Sequence, residues 1–253
     1  METSDNEYFE RFFHDRAVAA DDLHERGFRV EANIVATTAI DALAEVWLHD
    51  FPMERQVMDA EFRGRVSPAI RFTRFLKRFA AGAPHTQKVA VVMFADDMKR
   101  QAPTLRDLAD TILAPRGGSL PGELPRAYLD ISKHELLRTY PVIVEVPGLA
   151  ALVEDYEYGA LLYRFVRSPL VHFGSGSQRT HGFTQKDEVF YMPLERGLAL
   201  GFGIGVVTSW LRTAATAYTT MCTNAGIRPA TNLETGREGE DRLAARWERI
   251  GMP

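Results

Sequence analysis

Apolar residues recur at helical spacing near both ends of this chain of 253 residues. Residues 4–7, Ser-Asp-Asn-Glu, have the spacing of a capping box, in which the serine and glutamate side chains satisfy free amide donors. They predict a first helix that runs to about Arg26 and stops at Gly27. A second helix is predicted over residues 30–49, because Pro52 forbids its continuation.

A third helix is predicted from the apolar stripe that follows Arg71. Its apolar residues recur every three or four positions, which places them on one face of a helix. We expect this face to be buried against the second helix, since two amphipathic helices hide their apolar stripes on each other. The two stripes are Phe72, Phe75, Leu76 and Phe79 on the third helix, and Val35, Leu43 and Trp47 on the second.

The middle of the chain, residues 82–147, has a different pattern. Prolines from Pro84 to Pro147 and a glycine pair at 117–118 divide it into short pieces. Residues 89–94 and 142–146 are apolar and fit either short strands or buried helix turns, because periodicity does not separate the two. We interpret this region as an irregular insertion on a helical core, without a second core of its own.

Helical spacing returns over residues 149–167, and residues 189–192 predict a short strand. A last long helix is predicted over residues 194–225, ending before Gly226. We expect a single domain over residues 1–228, followed by a charged C-terminal tail over residues 229–253. In this tail, Leu243, Trp247 and Ile250 are spaced for a short helix that docks back on the domain.

A row of small residues at intervals of four marks the last predicted helix. On one helix such a row forms a groove that another helix can approach closely, either the 149–167 helix or its copy in a second subunit. Replacing Gly201 with Leu would then overpack the contact. The row consists of Gly197, Gly201, Gly205, Ser209, Thr213 and Ala217.

Composition and charge describe an ordinary globular protein, with 45% hydrophobic and 25% charged residues and a formal net charge of -4. Binding of nucleic acid by bulk charge is excluded, although a local basic patch is not. Cys222 is the single cysteine, so no internal disulfide and no cysteine-based zinc site is expected, and we predict no metal and no cofactor. The apolar stretch 198–211 is shorter than the about 20 residues of a membrane span. We expect a cytoplasmic protein without a membrane segment.

The candidate chemistry lies at Arg167 and His172, five positions apart. In a straight helix this spacing puts the two side chains about 140° apart. Pro169 is predicted to break the helix and to displace Ser168 from helical geometry, so that both side chains could face one cleft. The alternative is a structural arginine and a hydrogen-bonded histidine.

The segment from Arg167 to His172 resembles the Arg-x4-6-His signature of HEPN domains, a helical superfamily. Residues 40–44 and 71–76 also resemble stand-alone bacterial members, in the same order along the chain. The resemblance implies a mainly α fold with a HEPN-like four-helix up-and-down core, to which the 82–147 insertion and the tail are added. It also implies a homodimer in which two Arg/His pairs meet across the two-fold axis.

Many HEPN proteins are metal-independent endoribonucleases, including toxins and phage-defence proteins. The resemblance implies that His172 assists attack of the ribose 2′-hydroxyl on the phosphate and that Arg167 stabilises the developing charge. Ser168 stands where the family often has a polar asparagine, and the resemblance implies that it belongs to the same catalytic site, where its hydroxyl can donate a hydrogen bond. RNA would be the substrate, and an antitoxin a candidate partner.

The alternative function is a non-catalytic dimeric module that binds a nucleotide or a protein partner. The two functions differ in the environment that they require. An endoribonuclease needs Arg167 and His172 exposed in a positive cleft, whereas a module could bury them against carboxylates. Glu154, Asp155 and Glu157 are the local carboxylates.

Three further arginines, Arg71, Arg74 and Arg78, fall on one face of the third predicted helix. They could follow an RNA backbone. The alternative is ion pairing with Asp41 or Glu45 of the second helix, or solvation.

Overall fold

Two long antiparallel helices open the fold, α1 (Asp5–Glu25) and α2 (Arg29–Asp50). Gly27 connects them with a φ of 88°, a left-handed conformation that glycine adopts without steric cost. The computed structural model describes residues 5–116, 127–173, 187–194 and 197–230, and over these the protein is mainly α-helical. The first two helices agree with the predicted boundaries; Ser4 lies outside the described residues.

Two shorter helices follow, α3 (Pro52–Glu61) and α4 (Pro68–Phe79). Pro52 ends α2, as predicted, and starts α3, where its missing amide proton costs no hydrogen bond. Ser67 caps α4 by accepting a hydrogen bond from the amide of Ile70 at 3.3 Å.

Short helices follow over the described residues up to 173. They are α5 (Val91–Gln101), α6 (Arg106–Leu113), α7 (Lys133–Thr139), α8 (Val142–Glu145), α9 (Leu149–Leu152), α10 (Tyr158–Leu161), a π-helical segment (Leu162–Arg167) and α11 (Ser168–Phe173), with 3-10 turns at Pro103–Leu105, Ala114–Arg116, Ala127–Leu129 and Val153–Tyr156. The sequence left residues 89–94 and 142–146 open between strand and helix. The structure has a helix in each of them, α5, which begins at Val91, and α8, which begins at Val142.

The predicted packing of α4 on α2 is confirmed. Phe72 and Phe75 are fully buried, and the ring of Trp47 lies 6.0 Å from that of Phe75 and 5.7 Å from that of Phe79. Burying three phenylalanines on one 12-residue helix explains its position in the centre of the core. The expected partner Leu43 is also fully buried, while Val35 is only partly so.

The region from 82 to 147 has a buried cluster of its own, so the expectation that it lacks one is wrong. Helix α5 contributes four apolar side chains and the other short helices one or two each, and together these form a cluster that no single periodic stretch reveals. The cluster contains Val89, Val91, Phe94, Ala95, Met98, Ala109, Ile112, Leu136 and Ile143, together with Leu149 and Val153 beyond it.

A β-hairpin replaces the first third of the predicted last helix. Strand β1 (Val189–Leu194) confirms the predicted short strand and pairs antiparallel with β2 (Gly197–Phe202), with Val189 opposite Phe202. Gly197 has a φ of 106°, which no right-handed helix accommodates. The glycines of this stretch lower its helix propensity, and the strand pairing prevails.

Helix α12 therefore runs only over Ile204–Ala225 and ends at Gly226. Gly197 and Gly201 lie on the strand, so the predicted row of six small residues on one helix is wrong. The long helix packed along α12 is α1, which buries Ala17 and Ala20 and joins Asp21 to Arg212 at 2.7 Å.

Within the described ranges, no helix is long and apolar enough to cross a membrane. Cys222 is a buried free thiol on α12. Burial raises the pKa of this thiol, and the nearby Asp50 carboxylate raises it further.

Candidate functional site

Arg167 ends the π-helical segment, and the chain stays helical through Pro169. Ser168 has φ -65° and ψ -49°, and its amide donates to the carbonyl of Tyr163, five residues earlier. The prediction that Pro169 would push Ser168 out of helical geometry is therefore wrong. Proline has no backbone N–H to donate to the preceding turn. That turn is a wider π turn, and the helix continues through the proline to Phe173.

The guanidinium of Arg167 lies against Asp41 of α2. Its Nη2 donates to Asp41 Oδ2 at 2.5 Å, and the Arg167 side chain is only 17% exposed. The ring of Tyr163 faces the same guanidinium, 5.2 Å from its central carbon. Arg167 is therefore held by a carboxylate on one side and an aromatic ring on another.

Arg71 of α4 approaches the same carboxylate from the other side. Its Nη2 lies 3.3 Å from Asp41 Oδ1 and 3.5 Å from Glu45 Oε2. Asp41 thus bridges two arginines, one with each oxygen. We refer to Asp41, Glu45, Arg71, Tyr163 and Arg167 as the Asp41 cluster.

Three elements that pack on each other bring the Asp41 cluster together. Helix α2 supplies Asp41 and Glu45 one turn apart, α4 supplies Arg71, and the π-helical segment supplies Tyr163 and Arg167. The apolar stripe of α4 fixes its rotation against α2, and this rotation aims Arg71 at Asp41. The ion pairs therefore follow from the packing of the core.

Burial governs the electrostatics of the Asp41 cluster. It raises the pKa of Tyr163, and the adjacent Arg167 opposes this shift. The Nε atoms of Arg71 and Arg167 are buried and find no hydrogen-bond partner in the described part of the chain. Two positive charges face two negative charges here, with Glu45 half-exposed at the rim.

The local carboxylates that the non-catalytic alternative offered as partners for Arg167 pair with other residues. Glu154 pairs with Lys133 at 2.5 Å and Glu157 with Lys77 at 2.6 Å, while Asp155 binds Arg164 at 2.5 Å. The sequence indicated Asp41 only as a possible partner for the arginines of the third predicted helix, Arg71, Arg74 and Arg78. Its contact with Arg167 joins positions 126 residues apart, which no local spacing reveals.

His172 belongs to α11, but its side chain lies outside the described residues. The convergence of Arg167 and His172 on one cleft therefore stays a prediction. Ser168 is placed by its backbone next to Arg167 and is partly buried.

Arg74 and Arg78 also form ion pairs, as the alternative to RNA binding requires. Arg74 binds Glu61 and lies over the ring of Phe62, 5.5 Å from its centre. Arg78 binds Glu54 at 2.8 Å. Their partners belong to α3 rather than to α2, so only Arg71 has the expected partners Asp41 and Glu45.

A second buried carboxylate, Asp130, was not identified in the sequence. Its Oδ2 accepts hydrogen bonds from the hydroxyls of Tyr158 and Tyr191, both at 2.6 Å, and its Oδ1 accepts one from the amide of Val91 at 3.0 Å. Burial raises the pKa of Asp130 to about 6, against the opposing effect of these donors and of Lys88. This network joins α5, α10 and β1 in the interior.

Among the described residues, no group of histidine, cysteine, aspartate and glutamate side chains is arranged to hold a metal ion. Comparison with known proteins finds no matching family model, no matching curated protein and no matching solved structure. Function is therefore inferred from the side chains of the Asp41 cluster.

Proposed function

We propose that this chain is a HEPN-like protein of the non-catalytic kind, a dimeric helical module that binds a protein partner. The mainly helical fold and the packing of α1, α2, α4 and α12 on one another support a HEPN-like core. The Arg167–His172 segment supplies the motif, and a cytoplasmic location belongs to the same proposal.

The observation that carries this proposal is the ion pair between Arg167 and Asp41. An arginine that stabilises a phosphate in a transition state must present its donors to the substrate. The Arg167 guanidinium is instead committed to a buried carboxylate, and its side chain is largely shielded from solvent. Its role in this proposal is to tie the π-helical segment to α2.

A protein partner is favoured over a nucleotide by the charge balance of the Asp41 cluster. The positive charges of Arg71 and Arg167 are matched by Asp41 and Glu45. Arg74 and Arg78, which would extend a basic track, are matched by Glu61 and Glu54. This arrangement offers no excess positive charge to a phosphate group.

A metal-independent endoribonuclease is the second candidate. It is favoured by the Arg-x4-His spacing of Arg167 and His172, and the Asp41 cluster reaches the surface at Glu45, whose side chain is 46% exposed. In this function Arg167 and His172 act on RNA, Ser168 lies between them, and Arg71, Arg74 and Arg78 contact the backbone. An antitoxin would then be a partner.

Incubation of the purified protein with a mixed RNA substrate, with and without EDTA, separates the two candidates. The module predicts no cleavage under either condition. The endoribonuclease predicts cleavage that persists in EDTA and falls by about 10²–10⁴-fold in His172→Ala. It also predicts a comparable fall in Arg167→Ala. Arg164→Ala is the matched control and should leave cleavage unchanged, because Arg164 lies on the same segment and is half-exposed.

The dimer is tested separately by sedimentation velocity. The proposal predicts the mass of two chains at micromolar concentration. A single species at the 28.4 kDa of one chain would contradict it.

A further inference from the structure

An apolar groove lies between α1 and α2. Its volume is about 360 Å³. Aromatic side chains of α1 form one wall, aliphatic side chains of α2 form the other, and Ala230 also lines the groove. The lining residues are Tyr8, Phe9, Phe12, Phe13, Ala42, Val46 and Ala230.

The aromatic wall is exposed to an unusual degree. Tyr8 is 64% and Phe12 is 42% exposed, although Phe9 and Phe13 on the same helix are buried. Contiguous exposed apolar surface on a globular protein marks a place where something else packs. We therefore expect a segment with apolar side chains to bind in the groove.

The path of the chain after α12 leads to this groove. Arg228 forms an ion pair with Asp5 of α1 at 3.2 Å, and the amide of Ala230 donates to Asp50 Oδ2 at 3.0 Å. The chain thus crosses the first turn of α1 and reaches the end of α2. Ala230 is part of the groove wall, so residues 231–253 start at the groove itself.

The sequence of these residues contains a suitable occupant. Leu243, Trp247 and Ile250 are spaced at i, i+4 and i+7, which places them on one face of a helix. Glu240 and Asp241 stand at its start, where negative charge favours a helix, and a glycine follows Ile250.

We propose that residues 240–250 form a helix that packs Leu243, Trp247 and Ile250 into this groove of the same chain. The nine residues 231–239 can span about 30 Å, which is ample for a segment that starts in the groove wall. A tethered segment also has a high effective concentration, which favours it over a second copy of the chain. The proposal does not depend on the function of the Asp41 cluster.

Hydrogen exchange of the full-length protein, followed by mass spectrometry, tests this proposal. We expect amides of residues 243–250 to exchange about tenfold or more slowly than in an unstructured chain. Phe12→Asp in the groove and Trp247→Asp in the tail should each abolish this protection, because each places a charge in the apolar contact.

Matched controls separate the contact from a general effect of the substitutions. Val18 is 49% exposed on α1 but does not line the groove, so Val18→Asp should leave the protection unchanged. Ala245→Asp, on the opposite face of the tail helix, should do the same. Thermal melting of each variant verifies that the domain remains folded.

Three outcomes would overturn the proposal. The first is rapid exchange of residues 243–250 in the wild-type protein. The second is protection that survives in Phe12→Asp. The third is protection that disappears on dilution, which would show that a second copy of the chain fills the groove.

Discussion

Asp41 and Asp130 are buried carboxylates that the chain satisfies in different ways. Asp41 is balanced by two guanidinium groups, whereas Asp130 accepts two tyrosine hydroxyls and one amide. Charged donors compensate the loss of hydration of a carboxylate more fully than neutral donors do. Burial accordingly raises the pKa of Asp130, and this side chain makes stability depend on pH.

The sign of that dependence follows from the raised pKa. The Asp130 pKa is about 6 in the folded protein and 3.8 in an unfolded chain, so the folded state binds a proton more tightly. The stability contributed by protonation is complete below 3.8 and is lost as pH rises through 6. We predict a loss of about 3 kcal/mol from this group between pH 3.5 and pH 7.

Urea unfolding of wild type and Asp130→Asn at both pH values measures this effect. Asparagine keeps an acceptor for the tyrosines but does not titrate, so the difference in free energy of unfolding between the two proteins should change by that amount. Asp155→Asn, at a half-exposed ion pair, should give less than about 1 kcal/mol. An unchanged difference between the two pH values would refute a titrating Asp130.

Among the secondary-structure elements, the hairpin of β1 and β2 depends on Gly197. A Cβ atom placed there would lie 2.4 Å from Nη2 of Arg100, and the φ of 106° is strained for any other residue. We predict that Gly197→Ala lowers the free energy of unfolding by about 1–3 kcal/mol. Urea denaturation measures the loss.

Gly82→Ala is the matched control for Gly197→Ala. A Cβ at Gly82 meets no atom within 4 Å, and its φ is not in the left-handed region. This variant should therefore change stability little. Equal effects of the two substitutions would contradict the assigned hairpin geometry.

The elements that the sequence predicts well are those with a strong local signal. The stripe of Phe72, Phe75 and Phe79 repeats at helical spacing, and it is buried as expected. The hairpin was not predicted because glycines at intervals of four residues are also typical of a close helix–helix contact. The pairing of β1 with β2 depends on both segments together, and the spacing within one segment does not show it. The helix break predicted at Pro169 is absent because the π-helical turn in the preceding residues allows the helix to continue through the proline.

The candidate site was predicted only in part. Arg167 and Arg71 are close together, but through Asp41, which comes from a helix far away in sequence. A contact of this kind depends on how α2, α4 and the π-helical segment pack on one another. The sequence pattern predicts which face of each helix is buried, but it does not predict which polar side chains meet at the edges of those faces. Asp130 was missed for the same reason, because its tyrosine partners are 28 and 61 residues away.

In the protein as a whole, α5 links the two buried clusters. Val92 and Met93 belong to the cluster around α2 and α4, whereas Phe94 and Met98 belong to the cluster of the middle region. A single helix that is buried on both faces couples the two clusters mechanically. They are therefore expected to unfold together.

Two core truncations test this coupling. Phe75→Ala and Phe94→Ala remove buried rings from different clusters, and each should cost about 3–5 kcal/mol. Far-ultraviolet circular dichroism and tryptophan fluorescence should report one common transition in urea for both variants. Separate transitions in the Phe94→Ala protein would indicate that the middle region unfolds independently.

The ion pair between Arg167 and Asp41 is the contact on which the proposed role of Arg167 rests. If Arg167 serves the fold, removing it leaves Asp41 with a buried and less compensated charge. Removing every partner of a buried charge costs about 3–5 kcal/mol, and because Arg71 still pairs with Asp41 we expect Arg167→Ala to cost less than this. Arg164→Ala, at a half-exposed pair with Asp155, should cost less than about 1 kcal/mol.

A double-mutant cycle on Asp41 and Arg167 tests this role most directly. Urea unfolding of wild type, Asp41→Asn, Arg167→Ala and the double variant yields the coupling free energy between the two side chains. We predict a coupling free energy of about 1–3 kcal/mol, because once one partner is removed the other side chain contributes little further stability. Additive effects within about 0.5 kcal/mol, with a stable Arg167→Ala protein, would show that Arg167 is free to serve another purpose.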